Sequence, residues 1–239
     1  MNCFLSRHAD KPLNRIISTY QRLVSSMALS GNRTYVGYGF GAIQSGLFLH
    51  EAYHSGTFGR LVVAEVLPEV VSAVRRASGK VVVNIAYHDR IEQTSLDSIE
   101  VLDPAVPVEC QQLINAVAEA GEIGTAIPSV DYYATEQPSS LHKTLAVGLS
   151  KKAALDGPRA VIYTAENNNQ AAEILRTKIR EEISAARQAA VDSKVRILNT
   201  VIGKMSQVVT DDAEIQQRNL ATMTSDLPRA FLVESFNKI

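Results

Sequence analysis

From Thr34 onward, short apolar runs alternate with stretches whose apolar positions recur at helical spacing. The runs read as strands and the stretches as helices. The pattern predicts strands at Thr34–Tyr38, Arg60–Glu65, Val81–Ile85, Glu122–Ile127, Ala160–Thr164, Val195–Val201 and Ala230–Glu234. Between them it predicts helices at Ala42–His54, Pro68–Ala77, Pro107–Glu119, Leu141–Ala154 and Gln170–Ala190, the last as one long helix. Ser55-Gly56 and Gly79 supply helix stops, and Pro128 ends a strand. Arg90–Gln93 and Ser98–Val101 are more polar and read as the arms of a short hairpin. Strands separated by helices argue for an α/β fold: a doubly wound, mostly parallel sheet with helices on both faces and one inserted hairpin. No internal repeat or low-complexity linker interrupts it.

Residues 1–33 stand apart as an N-terminal extension. Pro12–Ser26 carries Leu13, Ile16, Ile17, Tyr20, Leu23 and Val24 at roughly helical spacing, with a basic face of Lys11, Arg15 and Arg22. A surface helix, or upstream sequence from an early start codon, is the plain reading. The basic amphipathic composition would also suit an organelle transit peptide. A secretory signal is not indicated, because no continuous apolar core is present.

Composition narrows the class. The chain has 239 residues, 46% hydrophobic and 21% charged, as a globular protein does. A net charge of −1 gives no electrostatic argument for nucleic acid or an anionic membrane. No apolar run approaches the ~20 residues that span a bilayer. Cys3 and Cys110 offer neither a disulfide framework nor metal-ligand spacing, so a reducing, cytoplasmic location is expected.

The candidate chemistry begins at Tyr35-Val36-Gly37-Tyr38-Gly39-Phe40-Gly41-Ala42. A strand here turns sharply into a helix. In a GxGxxA fingerprint, Gly37 permits the turn, Gly39 admits a pyrophosphate to the backbone, and Ala42 packs helix on strand. The helix N-terminus adds free N–H groups and a positive dipole end. Glu65 closes the next strand, where a carboxylate accepts from the ribose hydroxyls of NAD and repels the 2′-phosphate of NADP. An ordinary strand-end acid is the alternative for Glu65, and a tight strand–helix turn the alternative for the fingerprint. Gly37, Gly39, Phe40, Gly41, Ala42 and Glu65 form the candidate NAD site, with Thr125 and Ala126 expected to abut the nucleotide.

Other chemistries are weighed against this. His50-Glu51-Ala52-Tyr53-His54 matches the HExxH zinc-protease pattern. It sits at the far end of the fingerprint helix and no third ligand follows at a suitable spacing, so no metal is expected. His88 and His142 read as surface or loop histidines, with a substrate contact from the hairpin or the Pro138-Ser139-Ser140 turn as the alternative. No Tyr is followed four residues on by Lys, which removes the short-chain dehydrogenase base.

These residues carry a resemblance. Val36–Ala42, Val63-Ala64-Glu65-Val66, Tyr163-Thr164-Ala165-Glu166-Asn167, Leu198–Met205 and Phe231–Asn237 together resemble the nucleotide-binding half of the mannitol dehydrogenase family, the long-chain polyol-specific dehydrogenases. The resemblance spans about residues 34–239 and implies a Rossmann-like NAD-binding domain. It implies hydride transfer between nicotinamide and a polyol/ketose or sugar-phosphate pair, without metal. It implies that Asn167 is catalytic, donating hydrogen bonds to the reacting oxygen; a helix N-cap is the alternative for Asn167. Glu166 is expected to buttress the loop, and Asn199 to line the same crevice or fill a structural role. The family's general base is a lysine in a second, largely helical domain, in a pattern of Lys, four residues, Asn, two residues, His. Lys194 and Asn199 mimic its start, but Ile202 replaces the His. The expectation is a cofactor-binding half that is inactive alone and can self-associate through the face a second domain would cover. A non-catalytic nucleotide-binding sensor or subunit is the alternative.

Overall fold

The computed structural model describes residues 31–236. The Pro12–Ser26 segment, Cys3 and Asn237 lie outside the described residues.

The first strand, β1, spans Arg33–Tyr38. Helix α1 follows as a π-helical stretch, Gln44–Leu49, continuing as an α-helical turn, His50–His54. Next come β2 (Phe58–Ala64), α2 (Pro68–Arg76), β3 (Val81–Ala86), β4 (Ile91–Leu96) and β5 (Ile99–Leu102). Pro68 and Pro107 stand in the first turns of α2 and α3 (Pro107–Glu119), where proline loses no hydrogen bond. The chain continues through β6 (Ala120–Thr125), a 3₁₀ turn (Val130–Tyr133), α4 (Leu141–Ala154) and β7 (Ala160–Thr164). It ends with α5 (Ala171–Glu182), α6 (Ala185–Lys194), β8 (Val195–Asn199), β9 (Ser206–Val209), α7 (Asp212–Gln217) and β10 (Ala230–Glu234).

Six strands form a wholly parallel sheet in the order β5-β2-β1-β6-β7-β8. Numbered among themselves, they run 3-2-1-4-5-6, the Rossmann order. Alternate residues of β1 serve opposite faces. Val36 and Tyr38 join the core beneath α3, α4, α5 and α6, while Tyr35 joins the core beneath α1 and α2. A second, four-stranded sheet runs β4-β3-β10-β9 and packs its Val83, Ile85 and Val233 into the α1 side. Gly46 permits that approach, since a Cβ on it would lie 2.4 Å from Val233 Cγ1. Fully buried Asn84 ties β3 to the later chain: its Nδ2 donates to Ala221 O and Phe231 O, and its Oδ1 accepts from Ala221 N.

Three expectations change. Arg90–Gln93 and Ser98–Val101 do not pair with each other. β4 pairs antiparallel with β3, while β5 is the edge of the parallel sheet beside β2. The inserted hairpin is thus β3–β4, because Leu96, Ile99 and Val101 are buried where a polar hairpin would leave them in water. The long helix is two. Ile183 is extended (φ −105°, ψ 126°), which lets it turn into the core and redirects α6 so that Val191 does the same. The strand at Ala230–Glu234 belongs to the second sheet, with β9 as an unforeseen partner.

Candidate functional site

The loop after β1 lies at the carboxyl edge of the sheet, where the strand order reverses between β1 and β6 and ligands of open α/β sheets bind. Gly39 has φ +86°, a conformation that disfavours a side chain. Its N–H donates to Ala64 O at 2.9 Å, which fastens the loop to β2. What approaches Gly39 closely is the chain itself, for an added Cβ would lie 2.7 Å from Ala126 O. Phe40 and Ala42 are buried in the core under α1. A Cβ on Gly37 would strike the Gln44 side chain at 2.3 Å. Gly41 is different: nothing lies within 4 Å of its Cβ position. It is the open point of the fingerprint, at the start of α1.

Glu65 is only 6% exposed. Its Oε2 accepts from Phe40 N at 2.8 Å, and its Oε1 from Val66 N and Leu67 N at 2.7 and 2.8 Å. The carboxylate therefore braces the fingerprint loop against the end of β2. An ionised carboxylate has about four acceptor positions, so capacity for a further donor remains.

Glu166 plays a matching part at the end of β7. It accepts from Thr125 Oγ1 at 2.9 Å, from Ile127 N at 3.0 Å, and from the Tyr133 hydroxyl. Thr125 is fully buried, so its side chain serves this network, while Ala126 N extends the β1–β6 pairing by donating to Tyr38 O. Burial, with Glu166 alongside, pushes the Tyr133 hydroxyl above its ordinary pKa, keeping it a neutral donor. Sequence reasoning missed Tyr133; the Ser129-x-Asp131 turn before it, with Ser129 Oγ accepting from Asp131 N, was the available signal. His142 is not a surface or loop residue. It lies buried in α4, with Nδ1 against Ser140 Oγ and Tyr133 O and Nε2 against Glu182, because the 3₁₀ turn folds over the start of that helix.

Asn167 is exposed just beyond β7, and its side chain has no hydrogen-bond partner among the described residues. The local turn is made by Asn168, whose Oδ1 accepts from Gln170 N. Asn199 caps α5 from the neighbouring strand: Oδ1 accepts from Ala172 N, and Nδ2 donates to Glu173. Asn167 is thus left free of the capping role that its sequence position suggested. Lys194 and Asn199 lie at opposite ends of β8, and Lys194 is bound to Asp156 and Gly157 O. They do not converge on one site.

The HExxH residues end α1. The His50 and His54 rings lie 4.5 Å apart, tilted by 54°, and Glu51 bonds His50 Nδ1, but no cluster of metal-ligating residues large enough to hold an ion occurs among the described residues. No helix among them is long and apolar enough to cross a membrane.

No family model and no curated protein matches the sequence. Solved structures do match the fold. The Pseudomonas fluorescens mannitol 2-dehydrogenase ternary complex with NAD and D-mannitol superposes with TM-score 0.62 at 13% identity, over 88% of this chain and 49% of that one. A D-sorbitol dehydrogenase in substrate-free form gives 0.61 at 10% identity, over 87% and 49%. The fold is shared with polyol dehydrogenases. The resemblance read from the sequence thus holds at the level of architecture, and the chain spans about half the length of the structures it matches.

Proposed function

We propose that this chain is the NAD-binding portion of a polyol or sugar-phosphate dehydrogenase of the mannitol dehydrogenase family. The observation that carries the reading is the fingerprint loop: braced by Glu65, set at the switch point of a 3-2-1-4-5-6 sheet, and open only at Gly41. These residues fit the cofactor with a changed division of labour. Gly41 and the first N–H groups of α1 would hold the diphosphate. Glu65 keeps the loop in shape, and a carboxylate closing β2 would repel a 2′-phosphate, so NAD is favoured over NADP. Phe40 and Thr125 support the site from the core instead of touching the ligand.

When bound, the nicotinamide supplies the hydride acceptor. Asn167, exposed and unengaged, offers an amide N–H to the substrate oxygen as negative charge grows there. Such a donor is worth about 3–4 kcal/mol of barrier. Removing the alcohol proton needs a base within hydrogen-bond reach, and Lys194, at the other edge of the sheet, is not that base. In this reading the chain contributes cofactor binding and the Asn167 amide, and the substrate is drawn from polyols or their phosphates.

The test is a fluorescence titration of the purified chain with NADH and NADPH, followed by assay of mannitol, sorbitol and arabinitol with NAD. Saturable NADH binding, tighter than NADPH, with negligible turnover is expected. Absence of nucleotide binding, or preference for NADPH, overturns the reading.

A further inference from the structure

The opposite, amino edge of the parallel sheet carries a second feature that the proposed cofactor site does not use. A cleft of about 290 Å³ opens there beneath β1, β6, β7 and β8. Arg33, Arg159, Lys194 and Arg196 line it, with Glu122 as the acid among its lining residues. Two of the cations are answered: Arg33 lies 3.4 Å from Glu122, and Lys194 donates to Asp156 at 2.5 Å. Among the described residues, Arg196 donates to the backbone carbonyls of Asp192 and Val195 and to no carboxylate. Arg159 has no hydrogen-bond or ion-pair partner among the described residues. Around one hollow thus stand two guanidinium groups with no ion-pair partner among the described residues.

A further cation lies behind the residues that line the cleft. Lys152 is fully buried, and its ammonium donates to the carbonyls of Ala118, Ala120 and Pro158, the last adjoining Arg159. Burial first, and Lys194 second, lower its pKa to about 8. A bound anion would offset that repulsion. Gly121 lets the Arg33 guanidinium lie against β6 at the cleft, since a Cβ there would lie 2.7 Å from Arg33 Nη2.

We propose that this cleft binds the phosphoryl group of a small molecule, held by Arg159 and Arg196. Guanidinium forks match phosphoryl oxygens in paired, charge-assisted hydrogen bonds. A phosphomonoester carries about −1.5 to −2 charges at neutral pH, which answers two unpaired arginines where a single carboxylate answers one. Ligands of open α/β sheets lie at the carboxyl edge, so this is a separate, second site. It stands whether or not the dehydrogenase reading does.

The test is titration of the ¹⁵N-labelled full chain with inorganic phosphate, at ionic strength held constant with chloride. Saturable shifts of the Ala160, Val161, Val195 and Arg196 amides are expected, with affinity about tenfold weaker in Arg159→Gln/Arg196→Gln. If the double variant does not fold, Arg159→Gln alone serves, with binding at least about threefold weaker. No saturable shift at those amides, or unchanged affinity in the folded variant, overturns the proposal. Succinate binding as tightly as phosphate overturns the phosphoryl assignment.

Discussion

Gly39 and Gly41 stand two positions apart and meet different surroundings. Gly39→Val forces a side chain into a positive-φ conformation and against Ala126 O. It is expected to lower stability by about 2–4 kcal/mol, read from urea midpoints. Gly41→Val meets empty space, so the midpoint should hold while NADH affinity falls by at least about tenfold in a fluorescence titration. Loss of stability at Gly41, or loss of binding with full stability at Gly39, would reverse these assignments. Glu65→Gln replaces one acceptor oxygen with a donor that faces backbone N–H groups. A cost of about 1–3 kcal/mol follows, together with weaker discrimination against NADPH. The spacing of the glycines was legible in the sequence. Which glycine faces outward was not, because that depends on Ala126, which arrives from a distant strand.

At the scale of elements, α1 and β10 are fitted through a single missing methyl. Gly46→Ala should lower the melting midpoint, equivalent to about 1–3 kcal/mol, by striking Val233. Val233→Ala should recover part of that loss in the double variant, and no recovery would place the strain elsewhere. Lys152 joins α4 to the ends of α3 and β6 and gives that junction a pH signature. Its pKa is about 8 in the fold, against an ordinary 10.5. Between those values the unfolded chain holds more protons, so Lys152's contribution makes stability rise with pH there. Urea midpoints at about pH 7.5 and about pH 9.5 should therefore climb more steeply for the wild type than for Lys152→Met. Element boundaries follow the apolar pattern closely wherever a segment packs against its sequence neighbours, as in α4 and β7. The pattern fails where a distant partner decides. Ser206–Val209 is short and half polar, and becomes a strand only because β10 lies beside it. Ile183 interrupts a good helical repeat because the core claims its side chain.

Across the whole molecule, a doubly wound, mostly parallel sheet was readable from one fingerprint and the alternation of elements, since right-handed crossovers leave few topologies. The groove on the α1 side was not. Among the described residues it measures about 770 Å³ and is lined by Tyr35, Phe48, Tyr163, Leu198 and Val201, among others. These residues come from four separate segments, and the apolar pattern of each is the same as that of the packed core. The second sheet has a consequence in time. Translation delivers β3 and β4 long before residues 221–234 emerge, so Asn84 then has neither the Ala221 nor the Phe231 backbone to bond. The first strand–helix–strand unit can settle early, while the Val81–Ala86 edge stays unpaired and apolar, a surface prone to wrong pairing. Ribosome-bound chains arrested before Ala221 should be cut by protease around β3–β4, and those arrested after β10 has cleared the exit tunnel should be resistant there. The last strand to be synthesised thus governs when the earlier hairpin is safe.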